Sequence, residues 1–361
     1  MLVYITRRLM LMIVTLLGIM LISFAIVQLA PGGPVETMMA RLSGTDAGLS
    51  GRLGGSGDIG AQAQSSNDGY RGSQGMDAQL IERLNKQYGF DKPAPERFIK
   101  MISDYMRFDF GESLFSGQSV ISLIKQKLPV SMSLGLWIML LSYAISIPLG
   151  IKKAVSDGSR FDVWTSIIIT IGYALPAFLV AVVLLIVFAG GSFYQIFPPQ
   201  GLWSENFDKL SLLGKITDYL WHMVLPVTAM VLAAFANLTL LTKNSFLDEI
   251  NKQYVMTARM KGLKENQVLY GHVFRNAMLL VISGFPAAFI HAFFTGSLLI
   301  EVTFNLDGLG LLSYNSIIGR DYTIVFASLF IFSLIGLVVN LISDIIFTAI
   351  DPRIDFETRE V

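Results

Sequence analysis

The 361-residue chain has no cysteine, and Asp, Glu, Lys and Arg make up only 15% of it. Without cysteine there can be neither disulfides nor thiolate metal sites, so redox compartment is not readable by that route. Soluble domains carry about a quarter charged residues. The low figure here, with 53% hydrophobic residues and a mean hydropathy of +0.58, therefore excludes an ordinary soluble protein. No Gly-x-x-x-x-Gly-Lys-Ser/Thr phosphate loop occurs, which excludes ATP binding of the usual kind. The three histidines, His222, His272 and His291, lack the spacing of a metal cluster. No nucleophile and base constellation marks an enzyme. No catalytic or metal-binding residue is assigned, and nothing calls for nucleic acid.

What the chain does have is long apolar runs. A helix crossing a hydrocarbon core about 30 Å thick needs roughly 20 apolar residues at about 1.5 Å each. Six stretches qualify: Leu9 to Ala30, Ser131 to Ile151, Val163 to Ala189, Tyr219 to Leu241, Ala277 to Ile300 and Tyr322 to Ile350. None contains Lys, Arg or Glu, and the only acid is Asp344. The expected fold is an all-α membrane protein with six transmembrane helices. Arg7 and Arg8 precede the first stretch as they would in a signal peptide, but its length and its Ala30-Pro31-Gly32-Gly33-Pro34 ending read as a retained anchor. With the N-terminus inside, thirteen Lys and Arg fall in inner segments, among them Lys152, Lys153, Arg160, Lys243, Arg259 and Lys261. The two short outer connections hold three, Lys209, Lys215 and Arg320. This asymmetry predicts both termini inside.

A large outer loop, residues 31–130, separates the first two spans. Its stretch 43–75 is dominated by Gly, Ser, Asp, Asn and Gln and has too little apolar surface to offset its ordering entropy. Asp77 can cap a helix carrying Leu80, Ile81, Leu84 and Tyr88. Phe98, Met101, Ile102, Tyr105 and Met106 then mark a second helix after a break at Gly89 to Pro95. A pair this small cannot bury its own core, so it should lie against the outer ends of the membrane helices.

Residues 243–276 form a polar island between apolar stretches. Ser245 and Asp248 resemble a capping box, which predicts a helix start near Phe246. Phe246, Ile250, Tyr254 and Ala258 share one face of that helix, and Gly262 supplies the backbone freedom for a sharp reversal. The expected result is two short helices lying along the membrane surface. Ala258 and Gly262 are small enough to admit another protein. By the residues alone, a basic loop that only holds topology or touches anionic lipid is an equal alternative.

Here the chain resembles the inner-membrane permease subunits of ATP-binding-cassette importers, whose loop before the last two helices carries Glu-Ala-Ala, three residues, then Gly. The matching residues are Met256-Thr257-Ala258, Arg259-Met260-Lys261 and Gly262, with the initial Glu absent and methionine at Met260 where alanine is usual. Tyr254-Val255, His272 and Arg275-Asn276 are similar to the branch that imports dipeptides, oligopeptides and nickel. So are Gly89-Phe90-Asp91-Lys92-Pro93, Asp109-Phe110-Gly111-Glu112-Ser113, Glu301 with Phe304, Gly308-Leu309-Gly310, Arg320-Asp321-Tyr322 and Asp351-Pro352-Arg353.

The resemblance implies a multi-pass protein of the bacterial inner membrane. Its parts would be a first span within 1–30, a periplasmic loop at 31–130, a permease core at 131–350 and a cytoplasmic tail at 351–361. It also implies cytoplasmic coupling helices in which Tyr254, Val255, Thr257, Ala258, Arg259, Lys261 and Gly262 dock an ATPase. The implied partners are a second permease subunit in a heterodimer, ATP-binding subunits that hold ATP and Mg, a periplasmic substrate-binding protein, a peptide substrate and membrane lipid. The chain itself would hold no cofactor. Microcin C, other antimicrobial peptides and nutrient oligopeptides all stay open as cargo.

Within the spans, Pro176 with Gly172 one turn earlier predicts a kink in the third helix, and Pro226 and Pro286 predict kinks in the fourth and fifth. Pro176 and Pro286 are candidate gating positions. His291 lies in the fifth stretch, where an ionisable group either faces a cavity or bonds a neighbouring helix as a neutral imidazole. The readings that compete with an ATP-driven importer are an ion-coupled secondary transporter and a membrane-bound enzyme or scaffold. Scarce intramembrane acids argue against the first.

Overall fold

The computed structural model describes residues 2–29, 92–191, 193–294 and 298–350. The expected helix at Asp77, the stretch 43–75 and the tail lie outside the described residues. Regular structure among those described is helical apart from one bridge, Glu112 to Ser119. The helices are α1 (Leu2–Leu29), α2 (Ala94–Met106), α3 (Val120–Val155), α4 (Arg160–Ala174), α5 (Ala177–Phe188), α6 (Leu212–Ile250), α7 (Gln253–Met260), α8 (Glu265–Val268), α9 (Phe274–Phe294), α10 (Leu298–Thr303), α11 (Leu309–Ile318) and α12 (Tyr322–Ile350). A π-helical turn, Leu269–Val273, joins α8 to α9.

Among the described residues, five helices are long and apolar enough to cross a membrane, or six spans if α4 and α5 count as one. The third expected span is thus not a kinked helix but two helices bent by 94°. Proline disfavours the helical conformation at the residue before it, and here Leu175 is extended at φ −88°, ψ 122°. Pro176, having no N–H to offer an upstream carbonyl, then starts α5. At Pro226 and Pro286, by contrast, α6 and α9 continue through the proline. Of the fifth expected stretch, α9 is described to Phe294 and α10 from Leu298.

The chain forms two compact units, one of Met1–Met12, Ile124–Tyr314 and Phe332–Val361, the other of Ile13–Leu123 and Asn315–Ile331. In the smaller unit, α2 places Tyr105 against Phe110 and Phe330, with ring centroids 4.9 and 5.4 Å away. Phe24 of α1 meets Phe98 at 5.3 Å. Helix α2 therefore rests on the long apolar helices α1 and α12, as its size requires. Ser113 Oγ donates to Asp321 at 2.6 Å, which ties the Asp109-to-Ser113 motif to the Arg320-to-Tyr322 motif.

Two apolar cores lie among the described residues of the larger unit. One gathers Leu134, Ile169, Ala181, Met223, Phe235 and Ile300 with their neighbours. The other gathers Ile151, Phe246, Val255, Ala258, Val268 and Ala277. Asp344, the one acid in the expected spans, is paired. Arg8 of α1 lies 2.9 Å from its carboxylate, and the Tyr4 hydroxyl donates to it at 2.9 Å.

Candidate functional site: the Gly262 turn and the helices around it

Helix α6 has 39 residues, about 58 Å of helix and nearly twice the hydrocarbon thickness, so it carries its C-terminus well beyond the apolar stretch. Ser245 lies inside this helix and does not start one, contrary to the capping-box expectation. Its neighbours are already in the helical ladder, so no orphan N–H groups need a cap there. The Ser245 hydroxyl instead donates to the Ala277 carbonyl of α9 at 2.5 Å. The break comes six residues later. Asn251 Nδ2 returns to the Leu247 carbonyl at 3.0 Å, and Glu249 accepts from Lys252 at 2.6 Å and from the Tyr254 hydroxyl at 2.9 Å. The Glu249 carboxylate raises the pKa of Lys252, and burial raises that of Tyr254.

The short helix α7 has two unlike faces. Val255 and Ala258 are buried in the core formed with Phe246, Val268 and Ala277. Tyr254 is half-buried against the same core, whereas Thr257, Arg259, Lys261 and Gly262 are exposed. Ala258 is therefore turned inward, and its smallness serves packing within the chain and not the approach of another protein. Phe246, Ile250, Tyr254 and Ala258 do share one cluster, although they come from two helices. The outward face carries two large apolar side chains, Met256 at 66% and Met260 at 79% exposure.

Gly262 follows the helix with φ +82°, a conformation that L side chains rarely adopt. Its N–H donates to the Arg259 carbonyl at 2.9 Å, and the Lys261 N–H to that of Thr257 at 3.1 Å. A Cβ added at Gly262 would meet nothing within 4 Å. Glycine is needed there for backbone conformation, and the space beside it is open. Arg259 and Glu265 pair at 3.0 Å across the turn. Gln267 accepts from the Lys264 N–H at 3.1 Å and caps α8.

Two polar clusters in the larger unit were not recognised as contacts from the sequence. Lys153 is fully buried; its ammonium lies 2.8 Å from Asp162 and donates to Thr165 at 2.8 Å and Ser166 at 2.7 Å. Lys243 of α6 reaches the same Asp162 at 2.8 Å and Asp157 at 2.7 Å. The carboxylate thus fastens α3, α4 and α6 together. Both lysines had counted only toward topology, and the nine-residue separation of Lys153 and Asp162 gave no helical pairing signal.

Glu301 is the second. It has no solvent exposure, yet it accepts from Ser131 at 3.1 Å and from the Leu311 N–H at 2.7 Å. Ser131 in turn accepts from the Leu309 N–H at 2.8 Å. The carboxylate answers the free N–H groups at the start of α11, where the helix dipole favours negative charge. A Cβ at Gly308 would lie 2.5 Å from Glu301 Oε1, and one at Gly310 3.1 Å from Oε2. The spacing of Glu301, Gly308 and Gly310 is the footprint of this one contact.

Helices α3, α5, α6, α9 and α10 line a half-open cavity of about 630 Å³ in the larger unit. Its wall is mainly apolar, with Ser131, Ser142, Tyr143, Asn237 and Glu301 as polar exceptions. Pro176 and Pro286 are not lining residues, though Ala177 beside the α4–α5 break is. The backbone of His291 lies in α9, and its side chain lies outside the described residues. His222 is a core residue whose Nδ1 sits 2.8 Å from the Asp218 carbonyl.

The family profile described as "binding-protein-dependent transport system inner membrane component" matches residues 146–356. Over 99% of both chains, 63% of residues are identical to those of the peptidoglycan transport system permease protein YejB of Agrobacterium fabrum. The inner membrane ABC transporter permease protein YejB of Escherichia coli O157:H7 is 58% identical over the same shares. The oligopeptide transport system permease protein AppB of Bacillus subtilis is 33% identical over 98% of this chain and 99% of its own.

Proposed function

The chain belongs to the family of inner-membrane components of binding-protein-dependent transport systems, and on that premise we propose that it forms half of a peptide path opened by a partner ATPase. As a permease subunit it is not an enzyme. The observation that carries the mechanism is the two-faced α7. Its inner face is built into the core shared by α3, α6 and α9, while its outer face and the open side of Gly262 are free to be gripped. Exposed Met256 and Met260 supply apolar contact, and Arg259 and Lys261 supply charge. Of the seven docking positions, Thr257, Arg259, Lys261 and Gly262 meet the partner, whereas Tyr254, Val255 and Ala258 pass its movement inward.

In this reading a periplasmic binding protein delivers peptide, a second permease completes a six-plus-six helix path, and closure of the ATPase on ATP and Mg swings helices as rigid bodies. Pro176, at the break between α4 and α5, and Pro286, within α9, are hinge positions of that movement. The Arg8 and Tyr4 contacts to Asp344 bring both ends of the described chain together, in keeping with an even number of spans and both termini in the cytoplasm. Cargo is peptide in class. The names of two relatives carry peptidoglycan and oligopeptide, and microcin C falls within the same class.

Purification from mild detergent tests the assignment. An ATPase and a second permease should accompany the chain, and vesicles holding the complex should take up peptide only with ATP. Uptake by this chain alone, driven by an ion gradient, would overturn the proposal.

A further inference from the structure

Helix α6 overshoots its apolar stretch at both ends. At the end remote from the Gly262 turn, Leu213 and Ile216 precede Tyr219, where the stretch begins, by about 9 and 5 Å of helix. A bilayer adds a headgroup layer about 5–8 Å deep on each side of its hydrocarbon. Within that narrow zone Leu212 and Leu213 are 76% and 74% exposed, and Ile216 and Trp221 are half exposed. Leu213, Ile216 and Leu220 share one face of α6, so the exposed stripe is continuous with the spanning part of the helix.

The segment before α6 is fastened to the helices on either side. The Tyr194 and Ile196 N–H groups donate to the Val187 and Phe188 carbonyls of α5 at 3.0 and 2.9 Å. The Ser204 N–H donates to Asp218 of α6 at 2.8 Å. The aromatic rings here carry polar groups at their rims. The Trp221 indole N–H donates to the Ile196 carbonyl at 3.1 Å while its ring packs on Phe197 at 4.5 Å. Trp203, half exposed, stacks on Phe207 at 5.2 Å, and the Lys215 ammonium lies 5.3 Å from the Phe207 ring centre. Side chains with an apolar body and a polar tip gather where hydrocarbon meets water. Glu205 and Asp208 balance Lys209 and Lys215, so the surface selects no lipid by charge.

We propose that residues 194–221 lie in the headgroup layer of the leaflet opposite the Gly262 turn and hold α6 at a fixed depth. Interfacial anchors of this kind set the tilt and rotation of a spanning helix. Helix α6 runs unbroken from here to Ile250, so a push on α7 that would slide α6 along its axis becomes tilt instead. That holding role, though not the lipid contact, rests on the ATP-driven reading above.

The absence of cysteine permits a single reporter. Leu213→Cys carries a nitrobenzoxadiazole fluorophore in the whole importer, its other chains stripped of cysteine, in phosphatidylcholine nanodiscs. A spin label on the lipid headgroup should quench it about twofold better than one at the acyl-chain end, about 15 Å deeper. Added phosphatidylglycerol should change nothing. Quenching by neither label would mean that water or another subunit covers this surface, and stronger quenching by the chain-end label would place it in hydrocarbon. Either result overturns the proposal, and a requirement for phosphatidylglycerol would overturn the neutral recognition. Leu212→Ser with Leu213→Ser should leave assembly and ATP hydrolysis intact and lower peptide import per ATP about threefold. The matching pair Leu212→Met and Leu213→Met should import normally. Normal import by the serine pair would overturn the holding role. If the unaltered importer takes up no peptide with ATP, the importer reading fails, while headgroup quenching still reports the lipid contact.

Discussion

Gly262 offers the sharpest test of coupling because its two properties can be varied separately. Its φ of +82° would cost any ordinary L residue about 1–2 kcal/mol. A side chain there would meet nothing within 4 Å, so bulk adds no clash inside the chain. Gly262→Ala and Gly262→Leu therefore carry nearly the same backbone strain and differ in what they project outward. The fold should absorb either change, since Val255 and Ala258 keep α7 in its core. If an ATPase occupies the open side, the leucine overpacks that interface by about 1–3 kcal/mol, a five- to 150-fold loss of association. Ala should import at a modestly reduced rate, and Leu should insert and assemble while hydrolysing ATP without import. Gly262→Asn, which tolerates the left-handed region, should fall between them. The assay is peptide uptake per ATP hydrolysed in vesicles containing the whole importer. Normal import by Gly262→Leu, or equal defects in Ala and Leu, would refute docking at this face.

Three other outcomes follow from the same contacts. Gly308→Ala puts a Cβ 2.5 Å from the Glu301 carboxylate; displacing that group from its donors should cost about 2–4 kcal/mol, read as a lower apparent melting temperature in detergent. Asp162→Asn leaves the buried Lys153 without a counter-charge and should destabilise by about 3–5 kcal/mol. Asp157→Asn, at a carboxylate whose side chain is half exposed, should change stability by less than about 1 kcal/mol, and equal effects would undo the role given to Asp162. Lys261→Cys, again a single thiol in this chain, should react with an impermeant maleimide only from the cytoplasmic side. Labelling from outside would remove the coupling turn from any ATPase.

Much of the architecture was legible because hydrocarbon thickness sets a length that apolar runs must meet. The helix around Tyr105 and the reversal at Gly262 could likewise be read from local chemistry. What escaped depended on distant partners. A proline announces a possible interruption, but it does not by itself tell a 94° break, as at Pro176, from a position inside a continuous helix, as at Pro226. Ser245 and Asp248 have cap spacing, but a helix arriving from Leu212 leaves no ends to cap. Glu301 looked like one letter of a motif, and only the fold shows that its carboxylate occupies the volume two glycines leave free. Lys153 read as a cytoplasmic charge, and its burial follows from Asp162, Thr165 and Ser166 converging on it from α4.

The Glu301 contact also constrains how this protein can change. Because one carboxylate fills the room at Gly308 and lies against Gly310, Gly308 cannot acquire a methyl group while the acid stays, and a methyl group at Gly310 would press on it at 3.1 Å. Nor can the acid be shortened without stranding the amide of Leu311 and the hydroxyl of Ser131. Substitutions at these sites should be epistatic, each harmful alone and tolerable only beside a compensating partner, so the trio is expected to drift together or not at all.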